Sequence, residues 1–104
     1  MALEKLNRIR ERIQSSRLKL ERKEEIEKLL DELEKELNLL PVQAKDDARA
    51  LMDLADRSTK GAIESGDTVP LQPLRETIRD FEISCPGLTR ILNRICSMLS
   101  GIGV

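Results

Sequence analysis

Residues 3–40 have the sequence LEKLNRIRERIQSSRLKLERKEEIEKLLDELEKELNLL, without a glycine or proline. Apolar residues recur along it at intervals of three and four, and most residues between them are Glu, Lys, Arg or Gln, which favour helix. This pattern predicts one long amphipathic helix and an all-α fold. The register slips once, by three residues, between a first apolar run that ends at Leu20 and a second that begins at Ile26.

Prolines and glycines divide the rest of the chain. Pro41 is expected to end the first helix, because the residue before a proline avoids the helical conformation. Gly66 and Pro70 lie in the clearest break further along. The second predicted helix differs from the first in having small residues, mainly alanine, along its apolar stripe. The predicted elements after Pro41 are helices over about 43–64, 73–84 and 87–100, with a linker over 65–73.

These elements predict a small helical bundle in a single domain, residues 1–104. The first helix is expected to form an antiparallel coiled-coil hairpin with the second, packed on residues 18–40, because small side chains let two backbones approach closely. A continuous first helix would be about 55 Å long and would extend beyond the second. The overhang, residues 3–17, is then expected to be covered by the two shorter C-terminal helices or by another chain.

The C-terminal residues 83–104 contain no acid and both cysteines of the chain, Cys85 and Cys96. Apolar residues from Leu88 to Ile102 have the spacing of one helix face, which is expected to pack in the protein's own core. Two alternatives stay open: a membrane interface, for which two arginines are few, and the groove of a partner. The cysteine spacing matches no metal or redox motif, so both are expected to be small structural residues.

The composition argues against several classes of function. The chain has no His, Trp or Tyr, one Phe and a net charge of −1. Without histidine the usual general base and imidazole ligand are missing, so no enzyme activity, cofactor or metal site is expected. Nucleic-acid binding is not expected either, since aromatic platforms and net positive charge are lacking. No apolar leader or membrane-length apolar stretch is present, which predicts a cytoplasmic location.

Charge is distributed unevenly along the first predicted helix. Residues 1–23 have eight Lys or Arg and three Glu, whereas residues 24–40 have two Lys and seven acids. This order opposes the helix dipole, which favours acids at the N-terminus and bases at the C-terminus. Three interpretations stay open: antiparallel association of two copies, docking on an acidic partner, or a solvated face balanced within the fold. The candidate surface for a partner or a second copy consists of Arg8, Arg12, Arg17, Lys19, Glu27 and Glu34.

The segment IRDFEISCPGLTRILNRICSMLSGIGV, residues 78–104, resembles the C-terminal part of small coiled-coil effector proteins that Legionella secretes. The resemblance implies translocation by the type IVB (Dot/Icm) machinery into the cytosol of a host cell, and a host protein as the target. Such effectors often have an acidic patch near the C-terminus, which this tail lacks, and the resemblance assigns no functional residue. It is carried by Phe81, Glu82, Pro86, Leu88, Asn93, Cys96, Leu99, Ser100 and residues 101–103.

The sequence thus predicts a non-enzymatic protein-interaction module, an effector or adaptor that acts in virulence through helical surfaces on a protein partner. The alternative is a structural or chaperone-like subunit of a secretion apparatus or another assembly. A discrete monomer or homodimer of the isolated protein favours the module. Partial unfolding that a partner rescues favours the subunit.

Overall fold

The structure, a computed structural model, describes residues 2–100. Within this range the chain forms five helices and no strand, which confirms the predicted all-α bundle. The helices are α1 (Ala2–Ser15), α2 (Leu20–Leu39), α3 (Lys45–Ser65), α4 (Gln72–Asp80) and α5 (Pro86–Ser100). Single 3₁₀ turns, Val42–Ala44 and Val69–Leu71, precede α3 and α4.

The first predicted helix is not continuous, since α1 ends at Ser15 and α2 begins at Leu20. The Ser16 hydroxyl donates a hydrogen bond to the Ile13 carbonyl oxygen at 2.6 Å, and this side chain thereby competes with the helical backbone pattern. Lys19 then has an extended backbone, with φ −62° and ψ 146°. The break lies between Ile13 and Leu20, inside the first apolar run and before the predicted register slip. Leu20, which that run was predicted to include, is 70% exposed.

The compact shape of the molecule depends on this break. A continuous helix over 3–40 would be about 55 Å long, whereas the longest dimension of the molecule is 37 Å. The chain instead turns back, so that α1 runs antiparallel to α2, with Gln14 beside Lys23 and Arg10 beside Asp31. Against α2 and α3, α1 buries Leu6, Ile9 and Ile13.

The helix pairs also differ from the predicted hairpin. The sequence predicts that the second helix packs on residues 18–40, but this helix, α3, packs chiefly on α1 and α4. Its place beside α2 is taken by α5 and by the folded-back α1. Of the predicted overhang, 3–17, Leu6, Ile9 and Ile13 are therefore covered by α2 and α3 rather than by the C-terminal helices, whereas Leu3 is 41% exposed.

Two glycines shape the end of α3. Gly61 lies inside the helix, which continues to Ser65. A Cβ at Gly61 would come within 2.9 Å of the Pro70 Cβ, so the missing side chain lets the following turn pack closely. Gly66 ends α3 with φ +69°, a left-handed conformation that glycine adopts without strain, and its amide donates to the Ala62 carbonyl oxygen at 2.9 Å.

The last helix supplies a large part of the core. It packs against α2 and α4 with its apolar face, as the sequence predicts. Cys85 and Cys96 are buried free thiols, as expected of small structural residues. Ile102, predicted to extend the same face, lies outside the described residues. The buried residues of α5 are Leu88, Thr89, Ile91, Leu92, Ile95, Cys96 and Leu99.

Candidate interaction surfaces

The basic and acidic blocks of the sequence meet where α1 lies against α2. The Arg10 guanidinium is 3.3 Å from Glu27, 2.8 Å from Asp31 and 3.7 Å from Glu34. Gln14, one turn along α1, donates to Glu27 at 3.0 Å. Burial opposes the charge of Arg10, but the hydrogen bond to Asp31 and the negative charge of the three acids together raise its pKa. We call these residues the Arg10 cluster, and in it one cation of the basic block is paired with three acids of the acidic block within the fold.

A second charged cluster joins α1 to α3 at Asp56, which is 4% exposed. Arg12 forms an ion pair with the Asp56 carboxylate and donates to its backbone carbonyl oxygen at 2.8 Å. Lys5 lies 4.0 Å from the same carboxylate and 3.1 Å from Asp53. The hydrogen bond from Lys5, with the charges of Lys5 and nearby arginines, lowers the pKa of Asp53. We call these residues the Asp56 cluster, and it fixes α1 on α3.

Asp56 is a residue that the sequence analysis missed. A signal was present, since Asp56 lies between Ala55 and Thr59 on the buried face of α3, where a charge needs a partner. The same pattern does not identify the cation that pairs with Asp56. Arg12 is 44 residues away in the chain, and only the fold brings the two together.

The six residues of the predicted interaction surface fall into two groups in the structure. Three of them are engaged in the Arg10 and Asp56 clusters: Arg12, Glu27 and Glu34. The side chains of the other three are exposed and form no ion pair or hydrogen bond within residues 2–100: Arg8, Arg17 and Lys19. These three, on α1 and in the α1–α2 turn, stay candidates for a partner.

Three large apolar side chains are exposed at the end of the bundle where α2 ends and α5 begins. Leu39, Val42 and Ile83 are 78%, 79% and 97% exposed. The first two lie at the α2–α3 connection, and Ile83 lies in the α4–α5 turn. The connections touch, because the Cys85 Sγ is 4.0 Å from the carbonyl oxygen of Ala44. We call Leu39, Val42 and Ile83 the apolar end surface.

Concave sites also lie elsewhere on the molecule. A cleft of about 560 Å³ separates the α1–α2 turn from the end of α3, and a groove of about 570 Å³ runs between α2 and α5. Both are lined by side chains of mixed charge. Within residues 2–100 no group of three His, Cys, Asp or Glu side chains could hold a metal ion. No helix in that range combines the length and apolar character needed to cross a membrane.

The environment of Cys96 disfavours its thiolate. Burial raises the pKa of the Cys96 thiol from its usual 9.0 to about 11, although the charge of Arg75 acts in the opposite direction. Because the thiolate is the nucleophile and metal ligand, such a thiol is unreactive at neutral pH. This observation favours a structural role for Cys96.

Several residues that carry the resemblance to secreted effectors have a role in the fold. Leu88, Cys96 and Leu99 are buried in the core, and Pro86 is the first residue of α5. Residues 101–103 lie outside the described residues. Helix packing therefore explains the spacing of the described apolar positions without an effector function.

Comparison with known protein families matches residues 26–104 to a domain of unknown function, DUF4404. The chain belongs to this family. In this DUF4404 protein the matched segment begins in α2, runs through α5 and includes the apolar end surface. Helix α1, with Arg10 and Arg12, precedes the matched segment. No curated protein and no solved structure matches the chain.

Proposed function

We propose that this DUF4404 protein is a non-enzymatic protein-interaction module that binds a partner protein through the apolar end surface. The exposure of Leu39, Val42 and Ile83, between 78% and 97%, carries the proposal. Removing apolar area from water releases about 25 cal/mol per Å². Exposed apolar side chains at one end of a charged molecule therefore favour a binding site over a purely solvated end.

The position of these residues supports the same proposal. Val42 and Ile83 lie in connections between helices, and Leu39 is the last residue of α2. Exposed residues at such positions are carried by the rigid bundle but do not hold it together. The charged residues within five positions of them in sequence are mostly acids: Glu34, Glu36, Asp46, Asp47, Asp80 and Glu82 against Lys35, Lys45 and Arg79. A partner surface with apolar side chains flanked by Lys or Arg would complement both the apolar residues and the acids around them.

A cytoplasmic location belongs to this proposal, because two buried free thiols suit a reducing compartment. A more specific form of the proposal is that the protein is an effector delivered into a host cell, where it binds a host protein. A translocation reporter fused to the chain tests that version. Reporter signal in host cells that disappears when the type IVB machinery is inactivated would support it, and absence of the signal would remove it.

Partner capture with surface variants tests the interaction itself. Val42→Asp and Ile83→Asp add a carboxylate to the apolar end surface, and Val69→Asp adds one to an exposed valine at the opposite end as the matched control. We expect a protein from the producing cell that wild type and Val69→Asp retain and that the two end-surface variants lose by about tenfold or more, by quantitative mass spectrometry. Unchanged capture by Val42→Asp and Ile83→Asp, with unchanged melting temperatures, would refute the proposal.

A further inference from the structure

The turn between α1 and α2 has an unusual sequence. Residues 16–19 contain neither glycine nor proline, and no residue there has a positive φ. Arg17, Leu18 and Lys19 are residues that favour helix or tolerate it well. Lys19, at the start of α2, provides no side-chain cap. The local sequence is therefore compatible with a turn and equally compatible with continuous helix.

Few hydrogen bonds hold the turn. The Ser16 hydroxyl donates to the Ile13 carbonyl oxygen at 2.6 Å and accepts from the Leu18 amide at 3.4 Å. If residues 16–19 became helical, backbone hydrogen bonds would replace these, and α1 and α2 would form one helix about 57 Å long. Leu20, 70% exposed in the structure, would then follow Ile13 by seven residues on the stripe of α1.

In the extended form α1 loses its site on its own chain. Its three buried apolar residues then need another apolar surface to pack against, and Arg10 needs other acids as counter-charges. A second copy provides both, because its own α1 has also left the site against α2 and α3, and that site has the same residues. Exchange of an identical element between two copies is a low-cost route to a dimer, since every contact of α1 outside the turn is made again across the interface.

We propose that two copies of this protein form a dimer by exchanging α1. In each copy residues 2–39 form one helix, and α1 docks between α2 and α3 of the other copy. Arg10 of each chain then pairs with Glu27, Asp31 and Glu34 of the other, so the basic half of one long helix lies antiparallel to the acidic half of its counterpart. The second copy is the partner that the charge blocks of residues 1–40 fit.

A pair of charge-reversed chains tests the exchange directly. One chain carries Arg10→Glu, and the other carries Glu27→Lys with Asp31→Lys. Each chain alone has mainly like charges at its α1–α2 contact, since the second chain keeps only Glu34 as an acid opposite Arg10. In a dimer formed by exchange, the new carboxylate of the first chain meets the new ammonium groups of the second, and the original arginine of the second chain meets the original acids of the first. Both contacts are then attractive.

The two chains are unfolded, mixed, refolded together at high concentration and analysed by native mass spectrometry. We expect the mixed dimer to exceed either homodimer by about tenfold or more. The matched control pair, Arg8→Glu with Glu24→Lys, changes exposed residues that form no ion pair within residues 2–100 and should give no such excess. Absence of the mixed dimer, or equal enrichment in the control pair, would overturn the proposal.

Changes in the turn give an independent readout. Ser16→Ala removes the side chain that competes with the helical backbone and should increase the dimer association constant about tenfold, because each dimer contains two such turns. Insertion of Gly-Ser-Gly-Ser between Arg17 and Leu18 relaxes the turn and should reduce the association constant. Sedimentation at several protein concentrations measures both. An inserted chain that dimerises as strongly as Ser16→Ala would overturn the exchange.

Discussion

At the scale of single residues, burial decides which polar groups must be held by an ion-pair or hydrogen-bond partner, on another helix or on their own. Asp56 is buried and obtains Arg12 from α1, and the Thr59 hydroxyl donates to the Ala55 carbonyl oxygen at 2.7 Å. No buried side-chain nitrogen or oxygen within residues 2–100 lacks a hydrogen-bond partner. A buried carboxylate without its cation would be costly, which explains why α1 and α3 are joined at this point.

Cys96 predicts a loss of stability at alkaline pH. Its thiol holds a proton more tightly in the folded state, with a pKa of about 11 against 9.0 when unperturbed. The stability from this proton is complete below pH 9 and is lost as the pH rises toward 11, by about 2–3 kcal/mol for the full shift. Urea unfolding of wild type and Cys96→Ala across this range measures the effect.

The variant also loses packing at every pH, so the informative quantity is the difference between the two proteins as a function of pH. Wild type should be destabilised relative to Cys96→Ala between pH 9 and 11. A difference that stays constant with pH would contradict a buried, protonated thiol.

At the scale of secondary structure, each helix packs against two or three others that its local sequence does not specify. Helix α2 shows this clearly, because Glu27, Asp31 and Glu34 face Arg10 on α1, whereas Leu29 lies beside the groove to α5. The apolar stripe of α2 indicates that one face of the helix is buried. The stripe does not indicate which other helix packs against that face.

Replacement of Arg10 by methionine tests the contact between α1 and α2. Arg10→Met should lower the free energy of unfolding by about 1 kcal/mol at low salt, since three acids lose a shared cation and then repel one another. The effect should shrink in about 1 M salt, which screens partly exposed charges. Chemical denaturation at the two salt concentrations measures it.

Arg8→Met is the matched control, because Arg8 is exposed on the same helix and has no ion pair within residues 2–100. It should change the free energy of unfolding by less than about 0.5 kcal/mol. Equal effects of the two substitutions would mean that the Arg10 cluster contributes nothing specific.

At the scale of the whole molecule, the highly charged N-terminal half depends on the apolar C-terminal helix. Helices α1 and α2 do not bury all of their apolar residues against each other. Helix α5 packs against α2 and buries apolar residues there. A chain of this size has a small core, so the loss of one face affects all of it.

Removal of α5 is therefore expected to abolish cooperative unfolding. A chain that ends after Pro86 should melt without a sharp transition in circular dichroism. The milder variant Ile95→Ala should lower the free energy of unfolding by about 2–4 kcal/mol, whereas Asn93→Ala, exposed on the same helix, should change it little. Cooperative melting of the shortened chain would favour the partner-groove or membrane interpretations of the tail.

Helix content was predictable because its signals are local. The intervals of apolar residues and the positions of Pro41, Gly66 and Pro86 are read within one or two turns of chain. The candidate site was less predictable, because the role of a charge depends on what faces it. Glu27 and Glu34 looked like an open surface and proved to be the counter-charges of Arg10.

The sequence by itself determined that the chain is helical, where most helices end, and that α5 belongs to the core. Only the tertiary structure decided that residues 16–19 form a turn, that α3 packs on α1, and that the two charge blocks meet within one chain. The physical reason is that helix propensity acts over a few residues, whereas the pairing of helix faces is chosen by the burial of all apolar stripes at once.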